Sequence, residues 1–189
     1  MNERVDYEIS NYGIAGIDML VDIGCGSGYY DRIISNKFPN LHFVLEDLPR
    51  DIWNNDLKKL LKKTVVNTPF APNFKTNSRI IFGTQDSIPL ESEQYKLVLC
   101  RLTLHEFSRK DEMTAELSRI LNSTGTLVIV ERISSYKGER DKECKQLYLT
   151  KEQVISSFGN LILTDTIRIG TPSENGMIFK FKKKTVVNS

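Results

Sequence analysis

Long apolar runs are missing from this chain of 189 residues. No stretch approaches the roughly 20 residues that a membrane-spanning helix needs. The opening segment MNERVDYEIS also lacks the basic-then-apolar order of a secretory leader. Both absences lead to the expectation of a cytoplasmic protein with no membrane partner. Cysteine is scarce as well: Cys25, Cys100 and Cys144 are odd in number and far apart, with no CxxC pair or Cys/His cluster. That pattern predicts reduced thiols, no disulfide framework and no metal site. Nor is there a surplus of one charge. Twenty-six Lys and Arg face 24 Asp and Glu, a net charge of +2, so there is no broad basic field and nucleic acid is disfavoured as a partner. No repeat and no linker divides the chain, which is expected to form one domain over residues 1–189 with a sizeable core.

What is present is an alternation. Strand-length runs at Met19–Ile23, His42–Glu46, Arg79–Phe82, Lys96–Cys100 and Thr126–Glu131 are separated by helical patterns. The helices are expected at Tyr29–Lys37, Ile52–Lys63, Lys110–Leu121 and Lys151–Phe158. Short Val/Ile/Leu-rich strands between helices read as βαβ units. The end of the chain differs: Leu161–Ile169 and Met177–Phe181 are joined by TPSENG, with no helix between them. Two strands joined by so short a turn pair antiparallel. The expected fold is therefore α/β, a doubly wound, Rossmann-like sheet that is mostly parallel and carries an antiparallel C-terminal hairpin. The segment VVNTPFAPNFKTNS after the second helix reads either as a lid or as a surface insertion.

The segment VDIGCGSG, Val21 to Gly28, stands directly after a strand and before a helix. Gly24, Gly26 and Gly28 permit a sharp turn at positive φ and leave no Cβ between backbone and ligand. Strand ends of an open α/β sheet are where ligands bind. The spacing is GxGxG rather than the dinucleotide GxGxxG, and Asp22 precedes it by two residues. An acid there repels a pyrophosphate but suits an amino group or a sulfonium. The loop reads as a site for a nucleoside that carries an amino acid.

With these residues the chain resembles the class I, Rossmann-like S-adenosylmethionine-dependent methyltransferases from Met19 to Lys182. Their acid-x-Gly-x-Gly-x-Gly motif matches Asp22, Gly24, Gly26 and Gly28. The resemblance implies that this loop, with Cys25, cradles the methionine part of S-adenosyl-L-methionine. It also implies a sheet of seven strands. At the end of the second strand, Asp47-Leu48-Pro49 resembles the DLP of small-molecule O-methyltransferases, which makes Asp47 the first candidate and Glu46 the second for the ribose hydroxyls. In FGTQDSIPL the chain departs from the family's Gly-Asp: Thr84 takes the acidic place, and Gln85 or Asp86 replaces the adenine contact. In YKLVLCRLTLHEF, Cys100 and Arg101 are expected to face the reactive end of the cofactor.

The same segment supplies a candidate catalytic base. His105, in LTLHEF, is one of two histidines, and neutral imidazole near pH 7 suits proton removal from a hydroxyl. In O-methyltransferases with DLP the catalytic His occupies a similar Leu-His-acid-aromatic segment; in other methyltransferases a His here is structural. Those enzymes also carry an N-terminal dimerisation and substrate-binding domain, whereas about twenty residues precede the first strand here, so the acceptor pocket is expected elsewhere. The resemblance implies an enzyme that methylates a small molecule, with oxygen as the first candidate acceptor atom. Two other readings stay open: a catalytically silent S-adenosylmethionine-binding interaction module, and a protein or RNA methyltransferase.

Overall fold

The computed structural model describes residues 3–49, 74–171 and 175–184. The helix expected over Ile52–Lys63 and most of the lid candidate lie outside these residues. In chain order the elements are α1 (Glu3–Ser10), β1 (Met19–Ile23), α2 (Tyr29–Lys37), β2 (His42–Asp47), α3 (Phe74–Asn77) and β3 (Ser78–Phe82). There follow β4 (Tyr95–Arg101), a 3₁₀ turn (Leu104–Glu106), α4 (Lys110–Ile120), β5 (Leu121–Arg132), α5 (Lys151–Ser156), β6 (Leu161–Ile169) and β7 (Gly176–Lys183).

Seven strands form one sheet in the order β3-β2-β1-β4-β5-β7-β6. β1 to β5 run parallel, and β7 pairs antiparallel with both β5 and β6. The period-two alternation of the strands supplies a core on each face. Leu20, Phe43, Leu45, Leu97 and Leu99 meet Ile9 and Tyr12 near α1 and Ile33 and Ile34 of α2. Val21, Ile23, Val44, Val98 and Cys100 meet Met113 and Leu117 of α4 and Val154 of α5. Strands buried on both faces explain the near-continuous apolar runs.

Several boundaries shift from the sequence expectation by a residue or more, and one helix is new. α1 was not expected; its eight residues bury a carboxylate, Glu8, beside Ile9. β5 begins at Leu121 rather than Thr126, because Leu121 already pairs with Tyr95 before the bulge in that ladder. α5 stops at Ser156; its start is fixed by a capping box in which Thr150 and Gln153 exchange hydrogen bonds.

The strand order reverses between β1 and β4. That is the topological switch point, where a crevice opens beyond the carboxyl ends of the two strands. The glycine loop leaves β1 there, and the Leu102–Glu106 segment leaves β4 beside it.

Candidate active site

The glycine loop is built to let two strand ends approach. Gly24 (φ 72°), Gly26 (φ 56°) and Gly28 (φ 66°) all have left-handed backbone. At Gly24 a Cβ would lie 2.1 Å from Cγ2 of Thr103, so only glycine fits against the β4 loop. Thr103 shares its hydroxyl proton between the carbonyls of Gly24 and Arg101, each at 3.0 Å. Leu102 next to it has φ 53°, a strained value for a branched side chain, held while its N–H donates to the Val130 carbonyl at 2.7 Å.

β2 ends against the same loop. Asp47 accepts from the backbone N–H of Gly26 at 2.9 Å and from that of Leu48 at 2.7 Å. Glu46 is buried, with its carboxyl against Gly83, and its pKa is pushed up to about 7 by burial and then by the charge of Asp47. Together these parts enclose a cavity of about 450 Å³, whose wall includes Gly24, Cys25, Gly26, Glu46, Asp47, Gln85 and Arg101. Such a volume is in the range of small-ligand pockets.

Asp22, Gly28 and Asp86 lie outside that wall. Asp22 stands behind the loop, buried next to Asp31; burial first, and then Asp31, raises its pKa well above the carboxylate range. Asp31 is raised too, again chiefly by burial, and one oxygen of Asp22 and both of Asp31 have no hydrogen-bond partner among the described residues. Gly28 forms the N-cap of α2. Asp86 is tied to the surface: it accepts from Thr84 at 2.7 Å and pairs with Arg109 at 2.5 Å. Gln85 alone of the two adenine candidates reaches the wall, where Ser108 donates to its side-chain oxygen at 3.1 Å.

The electrostatics of the loop are acidic. Beyond burial, the Cys25 thiol is pushed well above its ordinary pKa by Asp22, Asp31, Asp47 and Glu46 in turn. The side chains around the loop offer carboxyl oxygens, which accept from an ammonium and sit well against a sulfonium but give a pyrophosphate no donor, and a bound cation would favour their ionised form. The cradle therefore fits a cationic nucleoside.

Arg101 borders the cavity but points its guanidinium at α1. Nε donates to Glu8 Oε1 at 2.7 Å, and the guanidinium lies 3.3 Å from the centre of the Tyr30 ring. Glu8 also accepts from Tyr12 at 2.5 Å and from Tyr30 at 3.3 Å. Cys100 is buried in the core instead of facing the cavity, because strand alternation turns it to the opposite side from Arg101.

His105 sits on the 3₁₀ turn, and its side chain is only 3% exposed. Nδ1 lies 2.9 Å from Oε2 of the fully buried Glu131, whose Oε1 accepts from the His105 backbone N–H at 3.2 Å. Burial pulls the imidazole pKa down, but the hydrogen bond and charge of Glu131 outweigh it and the net shift is upward. Nε2 has no partner among the described residues. His105 borders a second, wider cavity of about 1040 Å³, and Phe107, Ser108 and Gln146 line both cavities. Tyr148 packs edge-on to the imidazole, with centroids 5.6 Å apart.

Glu8 and Glu131 were not singled out from the sequence. Glu131 closes the strand expected over Thr126–Glu131, and a carboxylate at the end of a buried strand was the available signal; Glu8 left none. His42, the other histidine, is exposed on β2.

A family model described as a methyltransferase domain matches residues 21–129. An isoflavone 7-O-methyltransferase of Glycyrrhiza echinata is 25% identical over 119 residues, which are 55% of this chain and 33% of the relative. A malonyl-[acyl-carrier protein] O-methyltransferase of Priestia megaterium is 23% identical over 141 residues, 75% of this chain and 45% of the relative. The chain thus spans less than half the length of these curated relatives. Among solved structures, a SAM-dependent methyltransferase from Aquifex aeolicus superposes with a TM-score of 0.72 at 15% identity, covering 94% of this chain and 88% of the other.

Proposed function

The chain belongs to the class I S-adenosylmethionine-dependent methyltransferase family, and on that premise we propose that the glycine-loop cavity binds S-adenosylmethionine and that a small-molecule acceptor, methylated at oxygen, enters beside His105. One observation carries the reading: a single cavity has both the glycine loop and the carboxylates at the end of β2 in its wall. We take the chain as one such domain.

When bound, S-adenosylmethionine supplies a methyl group already activated on a sulfonium, so the protein mainly aligns and deprotonates. Asp47 accepts the ribose hydroxyls, since each of its oxygens keeps a lone pair beyond its bond to the backbone. Glu46 supports it, Gln85 meets the adenine edge, and the backbone of Gly24, Cys25 and Gly26 holds the amino-acid end. Asp22, with Asp31, stands behind the loop, where a bound cation would favour ionisation of the pair, and Gly28 sets the turn into α2. Arg101 shapes the wall through its bond to Glu8, and Asp86 contributes only by fixing Arg109 beside Gln85. His105 Nε2 takes the acceptor's proton, with Glu131 fixing the ring orientation, an arrangement general to carboxylate-oriented histidine bases. The wider cavity next to it receives the acceptor, and Phe107, Ser108 and Gln146, which line both cavities, are where acceptor and methyl meet.

Calorimetric titration tests the reading. S-adenosylmethionine is expected to bind, and Asp47→Ala to weaken it about tenfold or more, as two hydrogen bonds to a charged group are lost. Release of S-adenosylhomocysteine with small hydroxyl or carboxyl acceptors completes the test. Tight NADH binding without S-adenosylmethionine binding refutes it.

A further inference from the structure

His105 has a second set of neighbours. Its own ring, the Glu106 carboxylate and the Cys144 thiol bring one ligand atom each to within 4.8 Å of one another. Nδ1 is occupied by Glu131, so the nitrogen left for a ligand role is Nε2, buried and without a partner among the described residues. Glu106 and Cys144 stand 38 positions apart in the chain, too far for their spacing to signal this cluster.

The loop that carries Cys144 is held in place. Asp141 accepts from the backbone N–H groups of Glu143 at 2.6 Å and Cys144 at 3.0 Å, while its other oxygen accepts from Tyr148 at 2.6 Å. Tyr148 in turn packs on His105. One thiol, one imidazole and one carboxylate are the donor set of a tetrahedral zinc-class site with an open fourth position. Bonds of about 2.0–2.3 Å place tetrahedral ligands roughly 3.3–3.7 Å apart, so side-chain rotation of about an ångström closes the cluster. A histidine whose other nitrogen is fixed by a buried carboxylate is the usual outer support of a zinc ligand.

We propose that His105 Nε2, Glu106 and Cys144 form a binding site for a zinc-class divalent ion, and that the bound ion silences methyl transfer by occupying the nitrogen that would take the acceptor's proton. The site itself rests on geometry alone; the silencing rests on the reading of His105 as base. Binding replaces the thiol proton of Cys144, which leaves to solvent, and forms three metal–ligand bonds without any redox change.

Cobalt(II) is the probe. Titrated into metal-free protein, it is expected to saturate at one ion per chain, with a near-ultraviolet thiolate-to-cobalt absorption band. Cys144→Ser should lose that band, and Glu106→Gln, at an exposed position, should weaken binding about tenfold without unfolding. A non-saturating titration, or an unchanged spectrum in Cys144→Ser, overturns the site. Turnover is then measured with added Zn²⁺. The wild type should lose activity in step with occupancy, and Cys144→Ser should keep its basal turnover and resist the metal. Equal inhibition of both overturns the silencing. If no acceptor is ever methylated, the functional reading fails, yet the cobalt titration still decides the metal site.

Discussion

Removing Glu8 should loosen the wall of the cavity from its back side, and the size of the effect follows from what Glu8 holds. The carboxylate is 1% exposed and accepts from Arg101 at 2.7 Å, Tyr12 at 2.5 Å and Tyr30 at 3.3 Å. Breaking a buried ion pair by deleting one partner costs about 3–5 kcal/mol, because the other charge is stranded. Arg101 keeps 18% side-chain exposure and its place on the Tyr30 ring, which hydrates and shelters the stranded cation. The lower end, about 3 kcal/mol, is therefore expected for Glu8→Ala. In a domain of this length each kcal/mol moves Tm by about 2–4 °C, so the melting temperature should fall by roughly 6–12 °C. Scanning calorimetry of Glu8→Ala, Arg101→Met and the pair forms a double-mutant cycle. The double variant should recover much of the loss, since an apolar pair replaces a buried ion pair at little cost. A fall of less than about 2 °C in Glu8→Ala, or strict additivity in the cycle, would refute the claim that α1 is pinned to β4 by this pair.

Two further perturbations follow from the carboxylates around the cavity. The folded pKa of Glu46, about 7, stands above its ordinary 4.5, so its contribution to stability is full below pH 4.5 and is lost as pH rises through 7. That loss reaches about 3 kcal/mol by pH 8. Glu46→Gln should flatten the fall, with urea unfolding showing the variant relatively more stable at pH 8 than at pH 5; an equal difference at both pH values contradicts the burial argument. Glu131→Gln leaves the buried imidazole without its carboxylate. We expect kcat to fall toward the roughly 10²–10⁴-fold loss of a missing general base, with KM for the acceptor little changed. A change confined to KM would make Glu131 a binding residue instead.

Much of the fold was readable because its signals are local. Short apolar strands, the glycine spacing after β1 and the turn before β7 each lie within a few residues, and the sheet assembled from them as expected. The cofactor-side residues divided according to how far their geometry depends on distant partners. Gly24, Asp47 and Gln85 reach the cavity wall by strand direction and loop spacing alone. Asp86 does not, because Arg109, 23 residues away, draws it to the surface. Cys100 and Arg101 were expected on one side, but adjacent strand residues face opposite ways. Glu8 and Glu131 acquire their roles only through contacts 93 and 26 residues along the chain, which no local pattern encodes. The same holds for Cys144, a lone thiol until the fold sets it beside His105 and Glu106.

The central claim is that the glycine loop and Asp47 together bind S-adenosylmethionine. A crystal structure with S-adenosylhomocysteine tests it most directly. The account predicts ribose hydroxyls on Asp47, the amino-acid end over Gly24 to Gly26, and the sulfur facing Phe107 and Ser108, which also line the cavity beside His105. Density for the ligand elsewhere, or a ribose with no contact to Asp47 or Glu46, would contradict it.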